Sequence, residues 1–235
     1  MEHRITDLIP QKRNPQRINV YLDGEYAFSL ARIVAAWLKA GQTLSDEKLH
    51  QLQAQDAKEA SFQLALKLLN YHPRTETELR QKLAEHNVEE DRIEETIERL
   101  KTSGLINDNL YAQAWVENRN AARPRSRRAL SYELKHRGID QEIIESALES
   151  VDDEAMAYQA GSKYARRLQN LERRIFHQKL VTYLMRKGFN YDISANAASR
   201  IWDEMQAILS TQVKVHNADV EGSDDPQVMR EAKLC

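Results

Sequence analysis

Three stretches of the chain share one pattern: "PRTETELRQKLAEHNV" from Pro73, "PRSRRALSYELKHRGI" from Pro124 and "RIFHQKLVTYLMRKGF" from Arg174. Leucines four residues apart recur at equivalent positions, and such leucines lie on one face of a helix. They are Leu79 and Leu83, Leu130 and Leu134, and Leu180 and Leu184. The offsets between equivalent leucines are 51 and 50 residues. An internal period of this kind indicates a tandem repeat and decides the fold more firmly than any single segment.

Each stretch also carries signals that begin and end a helix. Thr75 and Ser126 stand where N-cap residues belong, and Thr75 with Glu78 has the form of a capping box. Four positions after the second leucine stands Asn or Gly, the types that most readily adopt the left-handed conformation at a helix end. These residues are Asn87, Gly138 and Gly188, each followed by an apolar residue, Val88, Ile139 or Phe189.

A helical pattern precedes each stretch and another follows it. The preceding segments are "FQLALKLLNY", "LYAQAWVENR" and "YQAGSKYARRL". The apolar positions that follow are Ile93 and Ile97, Ile143 and Ala147, and Ile193 and Ala197. The repeating unit is therefore predicted to contain three helices.

The first part of the chain is predicted to contain a β-hairpin. Asp23 and Gly24 separate two β-prone runs within "INVYLDGEYAFSL", which is typical of a type I′ turn. A lone hairpin is marginal in water, so it must pack on the rest of the chain or pair with another strand.

Two helices are predicted after the hairpin. The first covers "ARIVAAWLKAG" and ends at Gly41, with Trp37 in its apolar pattern. Ser45 then has the properties of an N-cap for a long helix that ends near Tyr71, before Pro73.

These patterns predict a mainly all-α protein, with tandem three-helix repeats that form a curved body and a short N-terminal β-hairpin region. The scarcity of glycine and proline, 7 and 5 of 235 residues, favours helices over a sandwich or barrel. Beyond Ile208 the apolar pattern is lost, so the end of the chain is expected to be mobile. The predicted parts are the hairpin and helix region 1–45, the repeats 46–103, 104–151 and 152–209, and an acidic flexible tail 210–235.

Charge is distributed unevenly along the chain, although the net charge is only −2. From Glu117 to Arg137 seven basic residues face two acids, and from Lys163 to Lys187 eight face one acid. Exposure to solvent is enough to explain any one of these basic residues. A solvent-exposed helix, however, usually carries both basic and acidic side chains. The same excess in two successive repeats favours a surface for an anionic or acidic partner.

The sequence contains no motif that indicates an enzyme. A glycine-rich phosphate loop, a Ser or Cys nucleophile signature and an HExxH pattern are all absent. The acids beside His86 are explained by a loop and a helix N-terminus rather than a metal site. Asp108 is expected to cap the helix that begins near Asn109, and Tyr111 and Trp115 are expected in the core.

The single cysteine, Cys235, excludes an intrachain disulfide. No apolar run has the length of a signal core or a membrane span, so a reducing cytoplasm is the expected compartment.

Several segments, taken in order, resemble the RecX family, regulators of the RecA recombinase. Arg74, Thr75, Glu78 and Leu79 match the family's first motif. The second motif is matched by Gly104, Leu105, Ile106, Asp108, Tyr111, Ala112 and Trp115, and the helix closures by Arg137-Gly138-Ile139 and Lys187-Gly188-Phe189. The resemblance covers residues 56 to 205, so the hairpin-containing N-terminus and the acidic tail are expected to depart from the family pattern.

The resemblance implies that the protein binds along the groove of RecA–DNA filaments and inhibits the recombinase's ATPase and strand exchange. It implies neither catalytic residues nor a cofactor. The expected partners are the RecA filament and, weakly by itself, single-stranded DNA. A monomer without membrane contact is expected.

The expected contact is a basic face on the second and third repeats, which would meet phosphate or acidic protein. Its predicted members are Arg125, Arg127, Arg128, Lys135, Arg137, Arg166, Arg167, Arg173, Arg174, Lys179, Arg186 and Lys187. The same residues support an alternative of another class, a sequence-independent nucleic-acid-binding helical module without a dedicated protein partner.

Overall fold

The computed structural model describes the backbone of residues 1–221 and the side chains of residues 1–211. The chain divides into two compact units. The first contains residues 1–111 together with 137–139, and the second contains residues 112–136 and the chain from residue 140.

A four-stranded antiparallel sheet begins the first unit. Its strands are β1 (Glu2–Pro10), β2 (Arg17–Leu22), β3 (Glu25–Ala31) and β4 (Thr43–Ser45), in the order β3-β2-β1-β4. The two residues between β2 and β3, Asp23 and Gly24, have φ angles of 52° and 90°, as a type I′ turn requires. The hairpin prediction is confirmed. β1 and β4 were not predicted, because only Ile5 of β1 is fully buried and β4 has three residues.

The helix predicted to end at Gly41 is much shorter than expected. Helix α1 covers only Arg32–Ala35. The N–H groups of Leu38 and Gln42 then donate to carbonyls three residues earlier, at 3.0 and 3.1 Å, and the chain returns to the sheet as β4. The prediction that places Trp37 within an apolar helix is therefore wrong, because this side chain is 87% exposed.

The remaining helices form the predicted tandem repeats. They are α2 (Asp46–Tyr71), α3 (Glu76–Glu85) and α4 (Glu90–Thr102), then α5 (Asp108–Ala122), α6 (Arg127–His136) and α7 (Gln141–Leu148), then α8 (Asp153–Ala165), α9 (Arg173–Arg186) and α10 (Tyr191–Glu221). The side chain of Ser45 caps α2 by accepting from the N–H of Lys48 at 3.2 Å, as predicted.

Helix α10 continues beyond Ile208, where the apolar pattern is lost, to Glu221. The rest of the predicted acidic tail, residues 222–235, lies outside the described residues. The division of the chain into five parts stays a prediction.

The six leucines of the repeat pattern are completely buried. In the first repeat they pack with Phe62, Ile93 and Ile97, and in the third with Phe176 and Ala198. In the second repeat α7 buries Ile144 and Leu148 rather than the expected Ile143 and Ala147, which are half-buried. Because Ile143 and Ile144 are adjacent, the sequence pattern allows either of them to lie on the buried face of α7. Tertiary packing decides which one is buried.

The middle helices α3, α6 and α9 end in the predicted left-handed residues. Asn87, Gly138 and Gly188 have φ angles of 60°, 76° and 96°. After α9 the N–H of Phe189 donates to the carbonyl of Leu184 at 3.3 Å, the bond that defines a Schellman motif. The predicted capping box at the start of α3 is also present.

In the first unit, the residues after α6 contact the start of α3. The hydroxyls of Thr75 and Thr77 donate to the carbonyls of Arg137 and Gly138, at 2.7 and 3.0 Å. A Cβ atom on Gly138 would lie 2.4 Å from the Cβ of Thr77. This position therefore requires glycine for its close approach as well as for its φ angle.

In the second unit, the residues after α9 contact the start of α6 in the same way. The N–H of Ser126 donates to the carbonyl of Lys187 at 3.3 Å. A Cβ atom on Gly188 would lie 2.5 Å from the Oγ of Ser126 and 2.7 Å from the Cβ of Ala129. The contact between the end of one middle helix and the start of the preceding middle helix therefore recurs, as the order of the helices does.

Two aspartates complete these contacts. Asp108, at the start of α5, accepts from the N–H of Glu76 in α3 at 3.0 Å, and Asp153, at the start of α8, accepts from the N–H of Arg127 in α6 at 2.7 Å. The prediction that Asp108 caps its own helix is wrong. Asn107 accepts from the N–H of Leu110 at 3.1 Å and has that role. Both residues are good N-cap types, so the sequence could not separate them.

Replacing Leu134 by alanine should lower the free energy of unfolding by about 2–5 kcal/mol, because the side chain is fully buried and leaves a cavity. Urea denaturation measures the change. The matched control is Leu110→Ala, at a leucine that is 62% exposed, for which we expect a loss within about 0.5 kcal/mol. Equal losses would contradict the repeat core.

Gly188→Ala should destabilise the protein more than Gly104→Ala. Both glycines have positive φ angles, so both alanines bear the left-handed strain of about 1–2 kcal/mol. A Cβ on Gly104 meets no atom within 4 Å, whereas on Gly188 it overlaps Ser126 and Ala129. Thermal melting of the two variants compares them, and equal melting temperatures would show that the contact at Gly188 does not constrain the fold.

Candidate nucleic-acid interface

Eleven of the twelve predicted basic-face residues lie in the second unit, and Arg137 is the exception. Its guanidinium donates to the carboxylate of Glu78 at 2.6 Å and lies 5.9 Å from the centroid of the Tyr111 ring. Arg137 therefore has a structural role in the first unit, where it lies beside the contact at Thr75.

Two pairs of exposed arginines begin α6 and α9. Arg127 and Arg128 are the first residues of α6, and Arg173 and Arg174 are the first residues of α9. Neither helix has an acid in its first turn, whereas α3, the middle helix of the first repeat, has two glutamates there. Positive side chains at a helix N-terminus oppose the helix dipole and cost stability. The arginine pairs therefore increase the positive potential at the starts of α6 and α9 without stabilising these helices.

Most other members of the predicted face are also exposed. Five of these exposed residues form no ion pair among the side chains of residues 1–211. They are Lys135, Arg166, Arg167, Lys179 and Arg186. Arg173 has one weak contact, since its guanidinium lies 3.8 Å from the carboxylate of Asp203 and both side chains are largely exposed.

A tighter group of cations, here called the basic cluster, consists of Arg119, Arg123, Arg125, Lys163 and Lys187. Arg119 lies in the last turn of α5, and the N–H of Arg123 donates to its carbonyl at 2.8 Å. Arg125 lies in the loop before α6, Lys163 near the end of α8, and Lys187 directly after α9. Burial is the largest cause that lowers the pKa of Lys187, and the charges of Arg125, Arg123, Arg119 and Lys163 lower this pKa further.

A single carboxylate, Glu133 of α6, forms ion pairs with the basic cluster among the described side chains. It accepts from Arg119 at 2.9 Å and from Arg125 at 2.8 Å. Trp115, which was expected in the core, is half-buried and donates its indole N–H to Glu133 at 3.0 Å. One negative charge cannot balance five positive charges, so the cluster retains a strong positive potential.

Two nitrogen atoms of the basic cluster have no charged partner. The ammonium group of Lys163 approaches the carbonyl oxygen of Ala121 at 3.5 Å, a neutral partner. The Nε of Arg125 is buried and has no hydrogen-bond partner among the described residues.

Aromatic rings adjoin the cluster but are covered. Lys187 lies 5.3 Å from the centroid of the Tyr183 ring, and Tyr164 stacks on that ring at 4.1 Å. The guanidinium of Arg119 covers the Trp115 ring at 4.6 Å. Ring faces covered in this way favour recognition of backbone charge over recognition of bases.

Sequence reasoning missed three members of the cluster, Arg119, Arg123 and Lys163. They were counted in the charge excess but not assigned to the face, because the basic cluster is assembled from helices that are distant in sequence. The spacing of Arg119 and Arg123, four residues apart, was the available local signal.

Within the described residues, no group of three His, Cys, Asp or Glu side chains could hold a metal ion. No described helix is both long enough and apolar enough to cross a membrane.

Four family models match the chain in order. They describe the N-terminal domain of regulatory protein RecX (residues 3–45) and the first, second and third three-helix domains of RecX (residues 62–100, 107–148 and 152–197). The first match corrects the expectation that the N-terminal region departs from the family pattern. The resemblance seen in the sequence was based on the helical repeat, and the N-terminal sheet does not contain that repeat.

Curated relatives and solved structures agree with these matches. Regulatory protein RecX of Bacillus pumilus is 31% identical over 204 residues, which cover 85% of this chain and 78% of the relative. Regulatory protein RecX of Clostridium perfringens is 31% identical, with 84% and 96% covered. A crystal structure of regulatory protein RecX superposes with a TM-score of 0.65 at 28% identity, over 81% of this chain and 96% of that chain. The chain therefore belongs to the RecX family of regulatory proteins.

Proposed function

We propose that this protein binds RecA–DNA filaments through the exposed basic surface of its second unit and inhibits the recombinase's ATPase and strand exchange. Membership of the RecX family supports a regulatory role directed at RecA. The observation that carries the proposal for the basic surface is the pair of arginines at the start of both α6 and α9. These charges oppose the helix dipoles and do not stabilise the helices, which supports a role in binding a partner.

A filament suits a surface of this kind because it repeats. A RecA–DNA filament presents phosphates and protein side chains at regular intervals, and the second and third repeats each present two arginines at the start of their middle helix. Tandem repeats commonly bind extended partners in this way. Inhibition would follow from occupancy, since a protein bound along the filament hinders the changes that accompany ATP turnover and strand exchange.

The alternative is a sequence-independent nucleic-acid-binding protein without a dedicated protein partner. The basic cluster favours it, because attraction to phosphates requires only positive charge. The two functions differ in one measurable respect. A filament regulator binds the RecA filament more tightly than it binds bare single-stranded DNA at the same salt concentration.

Replacing Arg127, Arg128, Arg173 and Arg174 by glutamate should abolish inhibition while the protein remains folded. Acids are favourable in the first turn of a helix, by about 0.3–1 kcal/mol each, so the melting temperature should not fall. RecA ATPase on single-stranded DNA, titrated with the variant, measures inhibition, and filament co-sedimentation measures binding.

The matched control is a quadruple variant of the first unit, with Lys12, Arg13, Lys39 and Lys67 replaced by glutamate. These side chains are exposed, and their reversal changes the net charge by the same amount. The control should inhibit as the parent protein does. A folded second-unit variant that inhibits fully would refute the basic-surface proposal, and equal losses in the two variants would assign the effect to net charge.

A further inference from the structure

We propose that a surface around α1 in the first unit binds an acidic segment of a partner protein and takes up an apolar side chain of that segment. This surface, here called the α1 surface, consists of Arg32, Ile33, Trp37 and the lining of the cleft beside them. All of it lies in the first unit, whereas the proposed function uses the second. The inference therefore does not rest on the proposed function.

A cleft of about 410 Å³ lies beside α1. Such a volume falls within the range of ligand pockets, about 300–1,000 Å³, and is large enough for an apolar side chain with its adjoining backbone. Three segments of the chain line the cleft, namely the start of β2 with the turn before it, the end of β3 with the start of α1, and the middle of α2. Their lining residues are Asn14, Gln16 and Arg17, then Ala31, Arg32 and Ile33, then Ala60 and Gln63.

Two large apolar side chains of the α1 surface are exposed. Ile33, which also lines the cleft, is 64% exposed, and Trp37 is 87% exposed. They stand four residues apart, and Ala36 between them keeps a right-handed helical conformation, so we expect both on one side of the chain. Single exposed apolar residues are common, but adjacent ones mark interaction sites, and tryptophan and arginine most often carry the binding energy there.

The chain around the cleft is basic. Residues 8–22 contain three basic residues and no acid, and residues 26–45 contain two basic residues and no acid. The exposed side chain of Arg32 forms neither an ion pair nor a hydrogen bond among the side chains of residues 1–211. An acidic partner segment would supply the opposite charge.

Two acids of α2 do not provide that charge, because they are already paired. Asp56 accepts from Arg17 at 2.9 Å, and Glu59 accepts from Arg99 at 2.9 Å. Both carboxylates are largely buried. The positive charge of Arg32 is therefore available to a partner.

The backbone beside the cleft indicates how the partner is held. β3 is an edge strand, but the carbonyl of Ser29 already accepts from Arg17 at 2.7 Å, and the N–H of Ala31 already donates to Asp56. Addition of a partner strand to this end of the sheet is therefore disfavoured. The side-chain amide of Gln16 has no hydrogen-bond partner among the described residues, and it can both donate to and accept from a peptide backbone. Side chains, rather than strand pairing, are expected to make the contact.

The test uses the full chain and a synthetic peptide in which single leucines alternate with pairs of aspartates. Trp37 is exposed, whereas the other two tryptophans, Trp115 and Trp202, are half-buried. Binding should therefore shift tryptophan fluorescence to shorter wavelength, and Trp37→Phe should lose most of that shift. Anisotropy of a labelled peptide measures the affinity. Arg32→Gln combined with Trp37→Ser should weaken it roughly tenfold or more, with an unchanged melting temperature because both side chains are exposed.

The matched protein control is Lys48→Gln combined with Tyr71→Ser, which also removes one exposed cation and one exposed aromatic ring from the first unit. It should bind the peptide as the parent protein does. Two control peptides separate the contributions of charge and apolar contact. Replacing the aspartates by lysine should abolish binding, and replacing the leucines by serine should weaken it and remove the fluorescence shift.

Several results would overturn the inference. Equal affinities of the α1-surface variant and its control would remove the site, and equal binding of the lysine peptide would show apolar adhesion without charge recognition. A labelled dT oligomer tests the other class of macromolecule. If the α1-surface variant lost dT binding and kept peptide binding, the surface would bind nucleic acid instead.

A last comparison keeps this inference separate from the proposed function. The quadruple glutamate variant of the second unit should bind the acidic peptide as the parent protein does. If that variant lost the peptide while the α1-surface variant kept it, the peptide would bind the second unit and the α1 surface would have no role. If peptide binding depended on the α1 surface while the quadruple glutamate variant still inhibited RecA, this inference would stand and the proposed function would fail.

Discussion

The close approach of a left-handed glycine to the start of another helix is the constraint on which the repeat architecture depends. Gly138 lies against Thr77 in the first unit, and Gly188 lies against Ser126 and Ala129 in the second. At each place a carbonyl accepts a hydrogen bond from the N-cap residue, and an aspartate from the first helix of the next repeat accepts from the next N–H. Since α6 begins at such a contact, the position of the arginines that follow Ser126 is determined by packing rather than by a mobile loop.

In each repeat, core residues and surface residues occupy different positions of the pattern. Repeats with the same core can therefore carry surface charge of opposite sign. Buried leucines at equivalent positions hold each three-helix unit together. The first turn of α3 is acidic, whereas α6 and α9 begin with arginines. Because the core needs only apolar volume at the leucine positions, the exposed positions are free to specialise.

The contacts of each basic residue indicate its role more clearly than the number of basic residues does. Arg137 pairs with Glu78 beside a contact between helices, and Arg17 pairs with Asp56 in the first unit, so these arginines stabilise the fold. The basic cluster differs because its members act on one another with a single carboxylate between them. Repulsion that the fold tolerates without compensation is typical of binding sites, where the ligand supplies the missing charge.

The sequence by itself determined the features that arise from interactions within a few residues. These are the type I′ turn at Asp23 and Gly24, the caps at Ser45 and Thr75, the left-handed helix ends and the leucine faces. The tertiary structure alone decided the short length of α1 and the exposure of Trp37, because pairing of β4 with β1 ends the helical pattern. It also decided the partner of Asp108 and the convergence of Arg119, Arg123 and Lys163 near Lys187. Such contacts join residues that lie tens of positions apart, and no local propensity or spacing encodes which helix end meets which.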